Sequence, residues 1–209
     1  MSGAAHKLDE RDTVVAYELN GNCYLNVTAK CTLRCAFCPK FNGTWEVKGY
    51  DLTLFREPSV EEMIAAVGEV ERYGEVVFCG LGEPTLRLEA ILEVGRALKA
   101  RGATIRLNTD GLANLVHGRD VTPELASAVD NVSISLNAQD EALYEEHTRP
   151  TRPGSYPALL DFAARARDAG MKVSLTALDG LPGVDIEACR AIAEELGVTF
   201  RRRVYNEVG

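Results

Sequence analysis

Cys31-Thr32-Leu33-Arg34-Cys35-Ala36-Phe37-Cys38 sets three thiols at the spacing C-x3-C-x2-C, directly after an apolar run. Soft thiolates select zinc or iron–sulfur centres, and the number of ligands bears on which. A structural zinc site is closed by four ligands, usually two C-x2-C pairs or a Cys/His mixture, and a ferredoxin cluster takes four thiolates. Three thiolates at this spacing can hold three irons of a 4Fe–4S cubane and leave the fourth iron open. A metal with an open position can bind and activate a small molecule rather than only carry electrons. Cys23 is the candidate fourth ligand nearby, in Cys23-Tyr24-Leu25-Asn26-Val27-Thr28. It stands about 16 Å from the far end of that strand, at roughly 3.3 Å per residue, so it reads as a core thiol. A closed structural metal site stays open as the bland alternative.

Gly80-Leu81-Gly82-Glu83-Pro84 is the second group with chemistry, after the strand-like Val76-Val77-Phe78-Cys79. Its glycines let backbone approach a ligand closely; taken alone it is a strand-to-helix turn. Leu107-Asn108-Thr109-Asp110-Gly111 closes the next strand, and Asp-Gly there serves equally as a turn. In Ser133-Ile134-Ser135-Leu136-Asn137 the alternation puts Ser133, Ser135 and Asn137 on one face, away from Ile134 and Leu136. Buried polar faces need partners, so Ser135 and Asn137 are candidate ligand contacts, as are Thr176 and Tyr205 on similar grounds. Arg201-Arg202-Arg203 alternates across a strand, so one face can aim an arginine at an anion. Arg149-Pro150-Thr151-Arg152-Pro153 is either an anion clamp or a solvated rigid loop. Trp45 and Tyr50 either cover a mouth or pack. Cys79, Cys189, His117 and His147 read as structural.

The elements that position these groups alternate. Residues 14–17 and 23–27 form a hairpin around Asn20-Gly21-Asn22. Ser59-Val60-Glu61-Glu62 is a capping box opening a helix with Met63, Ile64, Val67 and Val70 on one face. Strands at 75–79, 104–108, 131–136, 172–177 and 198–204 are separated by helical patterns, including Leu88/Ile91/Leu92/Leu98 and Leu159/Phe162/Ala163/Ala166. Six strands, all but the last followed by helix, predict an α/β fold with a parallel sheet and right-handed crossovers. Eight units close a barrel; six predict an open, partial (β/α)6 barrel with its chemistry at the carboxyl ends of the strands. The 209 residues read as one domain, with 1–22 as an N-terminal hairpin extension.

Composition agrees with a compact enzyme. Hydrophobic residues make up 46% of the chain, enough for a core without disulfides. Lys+Arg 23 against Asp+Glu 31 leaves a net charge of −8, which argues against non-specific binding to nucleic acid. Met1–Asp12 is polar and lacks a hydrophobic signal core, and no apolar stretch nears twenty residues. The expectation is a cytoplasmic protein, not a membrane one, with reduced cysteines.

These residues resemble the radical S-adenosylmethionine (SAM) superfamily, whose signature is C-x3-C-x-aromatic-C. The resemblance implies Cys31, Cys35 and Cys38 as ligands of a 4Fe–4S cluster, with Phe37 near the adenine of SAM. It implies Gly80, Gly82 and Glu83 beside the methionine amine. Asn108 and Thr109 fall in the segment resembling the family's T-N-G, with Asp110 in place of asparagine, and Ser135 and Asn137 fall on the strand that contacts ribose and carboxylate. The activity implied is reductive cleavage of SAM to a 5′-deoxyadenosyl radical, which abstracts hydrogen from a substrate. The cofactors are then the cluster and SAM, and the partners an electron donor of flavodoxin or ferredoxin type and a small-molecule or macromolecular substrate. Over nearly its full length the chain also resembles the TatD-associated radical SAM proteins, through Tyr24–Thr28, Gly80–Arg87, Leu107–Asp120 and Leu181–Glu187, which implies a possible association with a TatD-type protein. An activating enzyme that installs a glycyl radical on a partner protein, and a non-enzymatic iron–sulfur or zinc protein, are the alternatives.

Overall fold

Residues 13–205 are described by the computed structural model; the polar lead Met1–Asp12, the first part of the expected extension, lies outside the described residues. Strands β1 (Ala16–Leu19) and β2 (Asn22–Asn26) form an antiparallel hairpin. Asn20 and Gly21 both have positive φ at its turn (51° and 75°), the mirror-image geometry that matches strand twist. The cysteine segment follows, then a small hairpin of β3 (Glu46–Val47) and β4 (Tyr50–Asp51) inside the insert. From there strand and helix alternate: α1 (Val60–Val67), β5 (Val76–Cys79), α2 (Leu88–Ala100) and β6 (Ile105–Thr109). Two short helices follow, α3 (Ala113–His117) and α4 (Thr122–Ala126), before β7 (Asn131–Ser135). The chain continues with α5 (Glu141–Thr148), α6 (Ser155–Asp168), β8 (Lys172–Asp179), α7 (Ile186–Glu195) and β9 (Thr199–Val204).

The main sheet runs β1-β2-β5-β6-β7-β8-β9, and every pairing but β1–β2 is parallel. Among the described residues its two ends do not pair, so the six parallel strands form the expected open partial barrel. The register sorts side chains by parity. Leu25, Phe78, Leu107, Ile134 and Leu175 face the helices and meet Ile91, Leu98, Leu159 and Phe162 in the main core. Residues of the other parity, Tyr24, Arg106, Ser133 and Arg201, face the interior. Cys23 and Cys189 are buried in the core, as expected.

One expectation needs correction, and one open alternative narrows. The capping box forms, with Glu62 N–H donating to Ser59 Oγ at 3.2 Å and Ser59 N–H to Glu62 at 2.7 Å. The helix nonetheless stops at Gly68 (φ 66°), and Val70 begins a separate 3-10 turn, Val70–Arg72, instead of extending the apolar face. For the basic loop after β7 the structure favours the solvated alternative, with Arg149 and Arg152 both exposed. Thr151 instead gives its N–H (3.0 Å) and hydroxyl (2.8 Å) to the carbonyl of Thr32, bracing the cysteine segment.

Candidate active site

The cysteine segment and the residue before it are held by main-chain bonds from two elements. Arg34 N–H donates to Thr148 O at 2.9 Å and Ala36 N–H to His147 O at 2.8 Å, both on α5. Glu83 N–H donates to Lys30 O at 2.8 Å from the glycine-rich loop. His147 is buried and bonded to Pro182 O, and His117 to Thr85 O, so both histidines are structural as expected. Such bracing gives an irregular segment a fixed shape before any ligand arrives.

A cavity of about 500 Å³ opens at the carboxyl ends of the strands, within the roughly 300–1,000 Å³ typical of ligand pockets. Cys31, Cys35, Phe37, Cys38, Gly80, Gly82, Glu83, Asn108, Thr109 and Ser135 all line it, as do Thr176 and Tyr205. A larger hollow of about 920 Å³ lies at the amino ends and shares only the layer Tyr24, Arg106, Ser133 and Arg201 with the first. It contains none of the cysteines, so the smaller cavity is the site. Asn137 is the exception among the expected residues. It follows the end of β7 at φ 60°, is buried, and is not among the residues of the cavity wall, while its side-chain oxygen has no hydrogen-bond partner among the described residues.

Glu83 and Asp110 form the electrostatic centre of the wall. Glu83 Oε1 accepts from Thr85 N–H (2.9 Å), Thr85 Oγ1 (2.7 Å) and Thr109 Oγ1 (2.8 Å), while Oε2 accepts from Asp110 N–H (2.7 Å). The Asp110 carboxyl accepts from Thr32 Oγ1 and, at 2.9 Å, from Leu112 N–H. Burial, then the neighbouring Glu83 charge, holds Asp110 well above the ordinary carboxylate value, which favours its protonated form. Gly82 serves the same assembly by size. A Cβ there would overlap the carbonyl oxygens of Thr28 and Lys30, so this glycine permits contact between the two loops.

The donor set suits an iron–sulfur cluster. Burial and then Asp110 push the Cys31 thiol up to about 12, and burial and the other two cysteines push Cys35 higher still. These thiols gain little as bare anions and much from a cationic metal that accepts their charge. Among the described residues no three Cys, His, Asp or Glu side chains converge on a single ion. A cubane asks for something else, each thiolate on its own iron corner.

Several site residues were hidden in the sequence. Cys79 lines the cavity half-buried, with its sulfur 3.4 Å from Asn108 Nδ2, instead of joining the main core. Arg106 spans Glu75 (2.8 Å), Tyr24 Oη (3.2 Å) and Asn108 Oδ1 (3.2 Å). Tyr24 stacks on Tyr17 with ring centroids 5.4 Å apart. Parity was the available signal: Cys79 shares its parity with Val77, and Arg106 with Asn108. Trp45 and Tyr50 stay outside the wall; Tyr50 packs on Tyr17 and Trp45 lies under Lys40.

A partial (β/α)6 barrel whose three-cysteine segment and glycine-rich loop meet in one cavity defines an enzyme with a thiolate-held metal centre. The chain belongs to the radical SAM superfamily, whose family model matches residues 25–196. It is 31% identical over 155 residues to the GTP 3',8-cyclase of Rhodococcus opacus, covering 72% of this chain and 41% of that protein. It is 31% identical over 138 residues to the probable dual-specificity RNA methyltransferase RlmN of Synechococcus, covering 63% and 38%. Streptococcus suis SuiB bound to S-adenosylmethionine superposes with a TM-score of 0.63 at 18% identity, over 88% of this chain and 38% of that one. The chain thus spans half or less of these relatives' lengths. Superfamily membership brings the cofactor pair, a 4Fe–4S cluster and SAM. Among the described residues no helix is long and apolar enough to cross a membrane.

Proposed function

We propose that residues 1–209 act as one catalytic unit that cleaves SAM reductively and uses the resulting radical to take hydrogen from a substrate in the same cavity. One observation carries this: Cys31, Cys35 and Cys38 share a cavity wall with the Gly80–Glu83 loop, at the carboxyl ends of the strands. A cluster held by Cys31, Cys35 and Cys38 would pass one electron from an external donor to SAM bound beside it, and the pair would supply hydrogen-abstraction chemistry.

The chain's own residues hold and shield. Cys31, Cys35 and Cys38 anchor the metal. Phe37, Gly80, Asn108 and Ser135 face the cavity, where they contact SAM. Gly82, Glu83 and Thr109 join the glycine-rich loop to the cysteine segment and to β6. Asn137 is tied to β8, its N–H donating to Thr176 O at 3.1 Å, and its unpartnered side-chain oxygen is a further SAM contact. Tyr17, Tyr24 and Leu52 supply apolar wall that excludes water.

The finer resemblance to TatD-associated proteins, a cytoplasmic setting and an electron donor of flavodoxin or ferredoxin type belong to the same proposal. Anaerobic reconstitution tests it: about four irons per chain, a spectrum perturbed by SAM, and slow release of 5′-deoxyadenosine on reduction. A colourless, zinc-loaded protein indifferent to SAM would reject it.

A further inference from the structure

β9 carries the run Arg201-Arg202-Arg203, and the structure decides which face each side chain takes. Arg202 points outward and pairs with Asp179. Arg201 and Arg203, two residues apart on the other face, both line the cavity that holds the cysteines. Their Cα atoms are roughly 6.6–6.8 Å apart along the strand, so two guanidinium groups can converge on one anion.

Neither has a carboxylate partner or hydrogen bond among the described residues, unlike the other arginine of this wall, Arg106, which is tied to Glu75 at 2.8 Å. Arg203 is half-buried, and its guanidinium is disfavoured first by burial and then by the charge of Arg201. Two like charges placed side by side without a counterion oppose folding unless something negative joins them. The pair enters the cavity from a different strand than the cofactor segments, although Arg203 lies within electrostatic reach of Cys79 and Tyr24. The cysteine segment follows β2 and the glycine-rich loop follows β5, near one end of the sheet, whereas β9 is the last strand at the other. The arginines therefore reach the shared cavity from the far end of the strand order.

We propose that Arg201 and Arg203 form an anion subsite that binds a phosphate or carboxylate group of the substrate. This rests on the assignment of the same cavity to cluster and SAM. A guanidinium pair grips oxyanions by paired, directional N–H bonds. It would fix the substrate at one end, leaving its remainder directed toward SAM.

The test uses cluster-reconstituted, SAM-saturated full-length protein, titrated calorimetrically at constant ionic strength with inorganic phosphate and, separately, with malonate. Wild type should bind at least one of the two probes with one site per chain, and whichever binds names the anion class. Arg201→Gln with Arg203→Gln should weaken binding at least tenfold, while Arg202→Gln leaves it unchanged. If the double variant does not fold, Arg201→Gln alone should still weaken binding about fivefold. No binding of either probe to wild type, or equal loss in Arg202→Gln, overturns the proposal. So does a tenfold gain in anion affinity when SAM is omitted, which would assign the arginines to the carboxylate of SAM. Iron content and SAM binding of the same wild-type sample report separately on the cofactor reading. An iron-free protein whose anion binding still depends on Arg201 and Arg203 would reject that reading and keep the subsite.

Discussion

Glu83 Oε2 accepts the N–H of Asp110 at 2.7 Å, and the Asp110 carboxyl in turn accepts the hydroxyl of Thr32, the residue after the first cysteine. Three segments far apart in sequence are thereby joined through two buried acids. Like charges cannot both be kept at this depth without cost. A proton retained on Asp110 resolves the conflict, and stability then depends on pH.

Asp110→Asn should remove that dependence. Folding raises the Asp110 value above its ordinary 3.8, by burial first and Glu83 second. The folded state therefore keeps a proton that the unfolded chain releases. The stabilisation is complete below about 3.8 and is lost as pH rises through the raised, folded value. Asparagine cannot titrate and still offers an oxygen to Leu112 N–H. Thermal unfolding from pH 5 to 9 should show wild type falling progressively behind the variant, with about 2–4 °C for each kcal/mol in a chain of this size. Parallel curves would mean that Asp110 is ionised throughout.

The cysteines should divide by parity and position. Replacing Cys31, Cys35 and Cys38 together by alanine should abolish iron uptake. Cys23→Ala and Cys189→Ala remove core thiols, 1% and 0% exposed, and should cost about 1 kcal/mol each with iron per chain unchanged. Iron analysis beside a denaturant melt checks both. Loss of iron in Cys23→Ala would bring the fourth-ligand alternative back.

Glu83→Gln should act on folding first. Its carboxylate accepts four protein hydrogen bonds, and an amide would set its own N–H groups against one of those donors. Each unsatisfied buried group costs about 1–3 kcal/mol, so the melting temperature should fall even without cluster or SAM. An unchanged apo-protein melt, with SAM affinity alone reduced, would mean that Glu83 serves the ligand only.

The parallel barrel was legible because strand runs and helical faces alternate along the whole chain, and the cavity because both motifs close neighbouring parallel strands. What escaped depends on parity within strands and on long-range bonds. Arg201 and Arg203 could be placed on one face from sequence, but only the β8–β9 register shows that Arg202 takes the outer face beside Asp179. Arg149 and Arg152 fit a clamp or a solvated loop equally well in sequence, because composition reveals charge and not direction. The alternation of β7 reaches only to Ser135, and the left-handed turn at Asn137 two residues later has no local sequence signal. Asp110 read as a turn residue or a ligand, and its contact with Thr32 spans 78 residues, beyond any local pattern.

Gly82→Ala gives the clearest view of how the two motifs depend on each other. No left-handed conformation is required at Gly82, so alanine brings no backbone strain; its cost is the overlap of a Cβ with the carbonyl oxygens of Thr28 and Lys30. Those atoms are main chain and cannot rotate away, so the two loops must separate and strain the bond from Glu83 N–H to Lys30 O. Roughly 2–4 kcal/mol should be lost, the range of an overpacked core site or beyond, and iron retention should fall with it. Gly154→Ala is the control, since it sits at φ 71° with nothing within 4 Å of a Cβ, and should cost only the roughly 1–2 kcal/mol of a left-handed alanine. Gly154→Ala should keep full iron content. If Gly82→Ala also keeps its iron and melts with wild type, the loops are not coupled, and the glycine would be free to serve SAM alone.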